Sequence, residues 1–202
     1  MMLVEQTTVP GTALPVAQFK DHLRLGTGFA DDGVQDQVLE TYLRAAMAAI
    51  EARTGKILLS RAFTWTLTAW RDLAAQALPV APVSQITSLT ITDRLGGTEL
   101  IADSRYLLEV DLHRPRLVST GICLPAIPVG GQVVIGFDAG FGAGWSDMPA
   151  DIAQAVMMLA AHYYENRSDA GGGSMGRSQL PSDVAQLIQT YRTVRLFGGG
   201  GA

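Results

Sequence analysis

The sequence holds a single cysteine, Cys123. No intrachain disulfide can form, which suits a reducing compartment. Charge is scarce too: Asp, Glu, Lys and Arg make up 17% of the 202 residues, and the net charge is −4. No basic run occurs, so no dedicated DNA-gripping face is expected. Low charge on a chain that is 48% hydrophobic points to a surface partly covered by partners. Long apolar runs are missing as well. The longest, around 155–161, falls well short of the ~18 residues that a membrane span needs. The N-terminal "MMLVEQTTVPGTALP" has neither the basic start nor the apolar core of a signal peptide. These absences predict a soluble cytosolic protein.

The chemical motifs are equally sparse. There are three histidines, His22, His113 and His162, and none has a second His or Cys at metal-ligand spacing. His162 and Glu165 stand three residues apart in "HYYENR", a spacing that can share one helix face. A lone pair does not define a site. A buried helix that surfaces with its tyrosine hydroxyls in water accounts for the same residues. In "VVIGFDAGFGAGW" a strand runs into Gly140, Gly142 and Gly144, but Trp145 stands where G-x-G-x-x-G requires its third glycine. No G-x-x-x-x-G-K-[ST] and no G-x-S-x-G occurs. The joint therefore reads as a flexible strand-to-helix connection. Cys123, in the apolar "GICLP", reads as a buried inert thiol. Asp31, Asp32 and Asp36 lack the calcium-loop pattern and read as helix caps. No catalytic residue, cofactor or metal is expected. The alternative is a nucleotide- or metal-dependent enzyme using the 140–144 joint or His162 with Glu165. A third reading, a carbohydrate-binding β module, would require Trp65 or Trp70 on an exposed patch.

What is present is a change of hydrophobic period along the chain. Residues 1–15 look extended, and a short helix follows Pro15 with Val16, Phe19 and Leu23 on one side. "VQDQVLETYLRAAMAAIEARTGK" repeats apolar residues at the helical period and ends at Gly55. "RAFTWTLTAW" alternates Phe63, Trp65 and Leu67 with threonines, as a half-buried strand does. "DRLGG" marks a hairpin turn, and further short strands follow in "RYLLEVD", "RLVSTGICLP" and "GGQVVIGFDAG". The helical period returns at Ile152, Val156, Leu159 and Tyr163, with Asp147 as a cap and Pro149 in the first turn. A last helix begins at "LPSDV", capped by Ser182. The pattern predicts an α+β fold. Residues 1–59 and 147–202 form a discontinuous helical bundle, and 60–146 an inserted antiparallel β-sheet or small sandwich.

The ordered set "EARTGK", "MPADIAQA", "HYYENR" and "LPSDVAQLIQTYR" resembles the head–tail connector (adaptor) proteins of tailed phages and gene transfer agents. The resemblance spans nearly the whole chain. It implies a structural protein that forms a ring, typically of twelve copies, under the portal. It also implies a stopper or tail-completion protein below, double-stranded DNA passing through the centre without sequence-specific binding, and no membrane. It implies synthesis in the bacterial cytoplasm and assembly into a particle neck. The basic amphipathic end at Tyr191, Arg192, Arg195, Leu196 and Phe197, with Gly198 opening a glycine tail, is expected to dock on the portal.

Overall fold

The computed structural model describes residues 2–25, 35–166 and 180–192. Over these the chain is mixed α and β, with four α-helices and two antiparallel sheets. Asp31, Asp32, Arg195, Leu196, Phe197 and Gly198 lie outside the described residues.

Helix α1 (Val16–His22) buries Phe19 completely. Helix α2 (Asp36–Thr54) turns Leu39, Leu43, Ala46, Met47 and Ile50 inward, a stripe at the helical period. Gly55 closes α2 in the left-handed region (φ 67°, ψ 16°), its N–H donating to the Glu51 carbonyl. A residue without Cβ takes that conformation at little cost. Helix α3 (Ala150–Glu165) lies against α2 and buries residues on several sides, among them Ile152, Ala155, Val156 and Leu159. Helix α4 (Ser182–Leu187) packs on α3 through Val184. One hydrophobic cluster joins these helices to Leu58 and Leu59, drawing on both ends of the chain.

Three expected caps are corrected. Gln35, not Asp36, holds the cap position of α2, and Asp36 lies in its first turn. Pro181, not Ser182, holds the cap position of α4, and the Ser182 hydroxyl donates to Asp183 within the first turn. Asp147 caps a 3-10 turn (Trp145–Asp147) rather than α3, accepting from the Gly144 N–H at 2.8 Å. The extended Pro149 occupies the cap of α3.

The larger sheet runs β1 (Met2–Glu5), β2 (Arg61–Leu67), β8 (Gln132–Ala139), β4 (Val83–Thr92) and β5 (Thr98–Leu100). Phe63, Trp65 and Leu67 stand opposite Phe137, Ile135 and Val133, and Leu89 and Ile91 continue the same rows on β4. All of these are buried. Phe63 and Phe137 stack at 5.7 Å. A bulge in β4 sets Thr87 and Ser88 over Gly136, where a Cβ would come within 2.7 Å of both hydroxyls. Glycine in mid-strand is what such a bulge requires. The smaller sheet is β3 (Ala75–Ala77), β7 (Arg116–Ser119) and β6 (Tyr106–Glu109), with β7 central. Leu78, Tyr106 and Leu117 join the large sheet's inner face in a second hydrophobic cluster.

Residues 2–5, read only as extended, form an edge strand on β2. The strand through "RLVSTGICLP" stops at Ser119. Gly121 and Pro125 interrupt it, Leu124 takes the inward place, and Cys123 is exposed rather than buried.

The large sheet has two unlike ends. Arg61, Val83 and Ala139 lie at the end that meets the helices, through Ser60 and the 140–142 joint. Met2, Leu67, Gln132 and Thr98 lie at the far end.

Candidate assembly surfaces

The expected chemical candidates resolve into structural parts. His162 and Glu165 are both exposed at the end of α3. The His162 ring nitrogen Nδ1 stands 3.0 Å from the Asn166 amide, which also donates to the His162 carbonyl. Tyr164 meets Tyr42 of α2 edge-on at 5.8 Å, so "HYYEN" is a packed helix end. No group of three or more His, Cys, Asp or Glu placed to hold a metal occurs among the described residues.

The glycine joint is tied to its neighbours. Gly140 N–H donates to the Pro82 carbonyl at 3.0 Å and Phe141 N–H to Leu58 at 3.3 Å, while the Gly142 carbonyl accepts from Ser60 N–H at 2.8 Å. A Cβ on Gly140, at φ 141°, would lie 2.5 Å from Ser60 backbone atoms. These donors face protein carbonyls, so the joint welds strand to helix and makes no phosphate cradle. Trp65 is buried, and Trp70 donates its indole N–H to the Pro125 carbonyl at 2.8 Å, so neither forms an open aromatic patch.

Of the residues expected to dock on a portal, the described ones are Tyr191 and Arg192. Tyr191 is anchored: its hydroxyl donates to Asp151 Oδ1 at 2.9 Å and its ring meets Phe141 edge-on at 6.3 Å. Burial, and then the Asp151 bond, push its pKa up to about 12. Arg192 is exposed. Tyr191 thus ties the last described turn to α3 and to the 140–142 joint.

At the boundary between the two clusters, Arg61 pairs with Glu51 at 2.5 Å and with Glu5 at 3.0 Å, and Glu51 also accepts from Leu58 N–H at 2.9 Å. One guanidinium therefore ties β1, β2 and α2. Beside it lies a residue that sequence reasoning missed. Lys56 is 1% exposed, and its ammonium has no hydrogen-bond partner among the described residues. Burial lowers its pKa, opposed by the charge of Asp111. A lysine one residue past a helix-ending glycine usually points to water, so nothing in the sequence marks it as buried.

Apolar side chains left in solvent concentrate on the strands and their turns. Leu95, Leu100, Leu107, Val110, Ile122 and Val129 are all exposed, against Val38 alone among the large apolar side chains of the described helices. A soluble monomer exposes single apolar residues freely; only where several adjoin do they make a contact surface.

What the described residues offer is a boundary held by ion pairs and apolar side chains left open on the strands and their turns. The chain matches one from the neck of an empty gene transfer agent particle computed with C6 symmetry, at TM-score 0.88 and 55% identity over 98% of this chain and 99% of that one. It matches a chain of the virion of a native gene transfer agent particle at TM-score 0.86 and 55% identity, and one from the neck of a native particle computed with C12 symmetry at 0.83 and 50%, both with the same coverage. No protein-family model and no curated protein matches. The chain belongs to the head–tail connector family of gene transfer agents.

Proposed function

We propose that this chain is a non-enzymatic structural subunit of a particle neck, an adaptor that forms a ring of about twelve copies below the portal. The observation that carries the reading is 55% identity over 98% of the chain to a protein in the neck of a gene transfer agent particle. The C12 symmetry of another such neck supports the copy number. In this role the ring joins the capsid to a stopper or tail-completion protein, and double-stranded DNA passes through the centre. A net charge of −4 favours sliding, because a lining rich in Lys and Arg would hold phosphates. Residues 1–59 with 147–202 act as the helical unit and 60–146 as the β insertion, with the Met2–Glu5 strand reaching across to the sheet. In the described residues, no helix is long and apolar enough to cross a membrane.

Tagging the chain in its bacterial host and purifying it tests the reading. Mass spectrometry should recover portal, capsid and tail proteins, and electron microscopy should place a ring at the particle neck. A soluble complex without a portal would refute it. Portal docking by the C-terminal end is tested by deleting residues 193–202. That cut retains Tyr191 and the partner of its hydroxyl, Asp151. Unchanged portal binding after the deletion would remove the docking role from Arg195, Leu196, Phe197 and Gly198.

A further inference from the structure

The exposed apolar side chains are not scattered. Leu95 tips the turn between β4 and β5, and Val129 lies in the turn entering β8; both turns are at the far end of the large sheet. They adjoin, since a Cβ on Gly130 would sit 3.4 Å from Arg94 Cβ. Leu73 and Ile122 flank the same end. Leu124 N–H donates to the Leu73 carbonyl at 2.7 Å, and Trp70 holds the 120–131 loop through Pro125. Leu73, Leu95, Ile122 and Val129 are 70%, 85%, 97% and 96% exposed. Nearby charges alternate in sign, Arg71 with Asp72 and Asp93 with Arg94, which suits neither nucleic acid nor an anionic membrane.

A second apolar surface lies elsewhere on the β unit. Among the described residues β6 is an edge strand with no partner on its outer side, and Leu107, Val110 and Leu112 on and just beyond it are exposed. An open strand edge with apolar side chains is a ready pairing surface. The chain therefore carries two separate apolar surfaces. A cyclic assembly requires two different, mutually complementary surfaces on every copy, and related chains sit in a neck with C12 symmetry. We infer that neighbouring copies of this chain join head to tail, the far end of the β unit on one copy packing on the β6 edge of the next. The inference rests on the ring reading above and names the contact that builds the ring.

Cys123, the sole cysteine, is exposed beside Ile122 at the far end. Its carbonyl accepts from Ser119 Oγ at 2.7 Å, and Ser119 stands opposite Tyr106. Val110 lies four residues beyond Tyr106, ~13 Å from that end of the hairpin at strand rise, against the ~7 Å limit of a disulfide. Val110→Cys consequently places a second thiol on the β6 edge that cannot close on Cys123 of the same copy. Purified particles carrying this variant are oxidised and run without reductant. The expected result is a ladder of linked copies extending past the dimer, abolished when Cys123→Ser is added. Particles that contain the chain but yield only monomers overturn the contact and leave the neck function standing. A product that stops at the dimer shows like-to-like pairing and also overturns it. Absence of the chain from particles overturns the function and the contact together. As a second readout, Ile122→Asp with Val129→Asp should keep the chain out of particles while the isolated protein's melting curve is unchanged. Normal incorporation of that variant would overturn the contact independently.

Discussion

The helical cluster and the β unit bury their apolar residues to different degrees. The helices present one continuous interior, with α2 and α3 in contact and polar residues outward. The β unit has an equally dry centre of Phe63, Trp65, Leu89, Ile135 and Phe137, yet leaves leucines, valines and an isoleucine open on its edges and turns. The contrast separates two tasks. The helical interior meets the needs of folding. The β unit has apolar side chains beyond those needs, and these are the ones the proposed ring contact uses. Between them the boundary is polar: Arg61 with its two carboxylates, the 140–142 joint, and buried Lys56.

The largest effect is expected from emptying one interior. Phe137→Ala removes a fully buried ring stacked on Phe63 and should cost about 3–5 kcal/mol in urea unfolding. Leu43→Ala in the helical cluster should cost about 2–5 kcal/mol. Because Arg61 and the joint couple the two regions, each variant should show one transition by circular dichroism and by fluorescence. Separate transitions would show that the regions unfold independently. Next comes the joint itself. Gly140→Ala introduces a Cβ 2.5 Å from Ser60 backbone atoms at φ 141°. The backbone conformation alone costs about 1–3 kcal/mol, and the clash adds to it. Unchanged stability would mean that the joint is looser than its hydrogen bonds indicate.

Much of this contrast was legible in the sequence wherever the signal is local. The α2 stripe and Gly55, the Phe63–Trp65–Leu67 alternation, and the "DRLGG" hairpin all follow from residues a few positions apart, and the structure has each. What stayed hidden depends on distant partners. "MLVE" has no alternation and becomes a strand because β2 offers an open edge. "AQA" carries no β-former and is β3 because β7 lies beside it. Cys123 reads as core in "GICLP", but the strand ends before it and Leu124 takes the buried place. Burial of Lys56 depends on where the Ala81 and Asp111 segments arrive, which no neighbour in sequence records. As for the candidate surfaces, a low overall charge carries no information on which apolar side chains stay exposed.

Lys56 sharpens the boundary. A buried amine without a hydrogen-bond partner gives up hydration, and polar burial of that kind costs about 1–3 kcal/mol. Lys56→Met should therefore stabilise by that order. Its folded pKa is lowered below the ordinary 10.5, so between that lowered value and 10.5 the unfolded chain binds the proton more fully than the folded one. Stability of the natural chain should rise with pH across that window, and the Met variant should lose the rise. An identical pH profile would show that Lys56 keeps its charge where it lies.

Tyr191 gives the smallest effect and the opposite sign. Its folded pKa is raised from 10.0 to about 12, as is that of Tyr106 through burial and Asp103. Their contribution is complete below pH 10 and is lost as pH climbs towards 12. Tyr191→Phe keeps the ring on Phe141 but removes the hydroxyl that donates to Asp151. It should cost about 0.5–1.5 kcal/mol at neutral pH and make the fall above pH 10 shallower, with Tyr106 supplying the remainder. The two substitutions divide the alkaline profile between the boundary and the helical end, Lys56 governing its rise and Tyr191 part of its fall. A steep fall retained in the Phe variant would mean that Tyr191 is not held on Asp151.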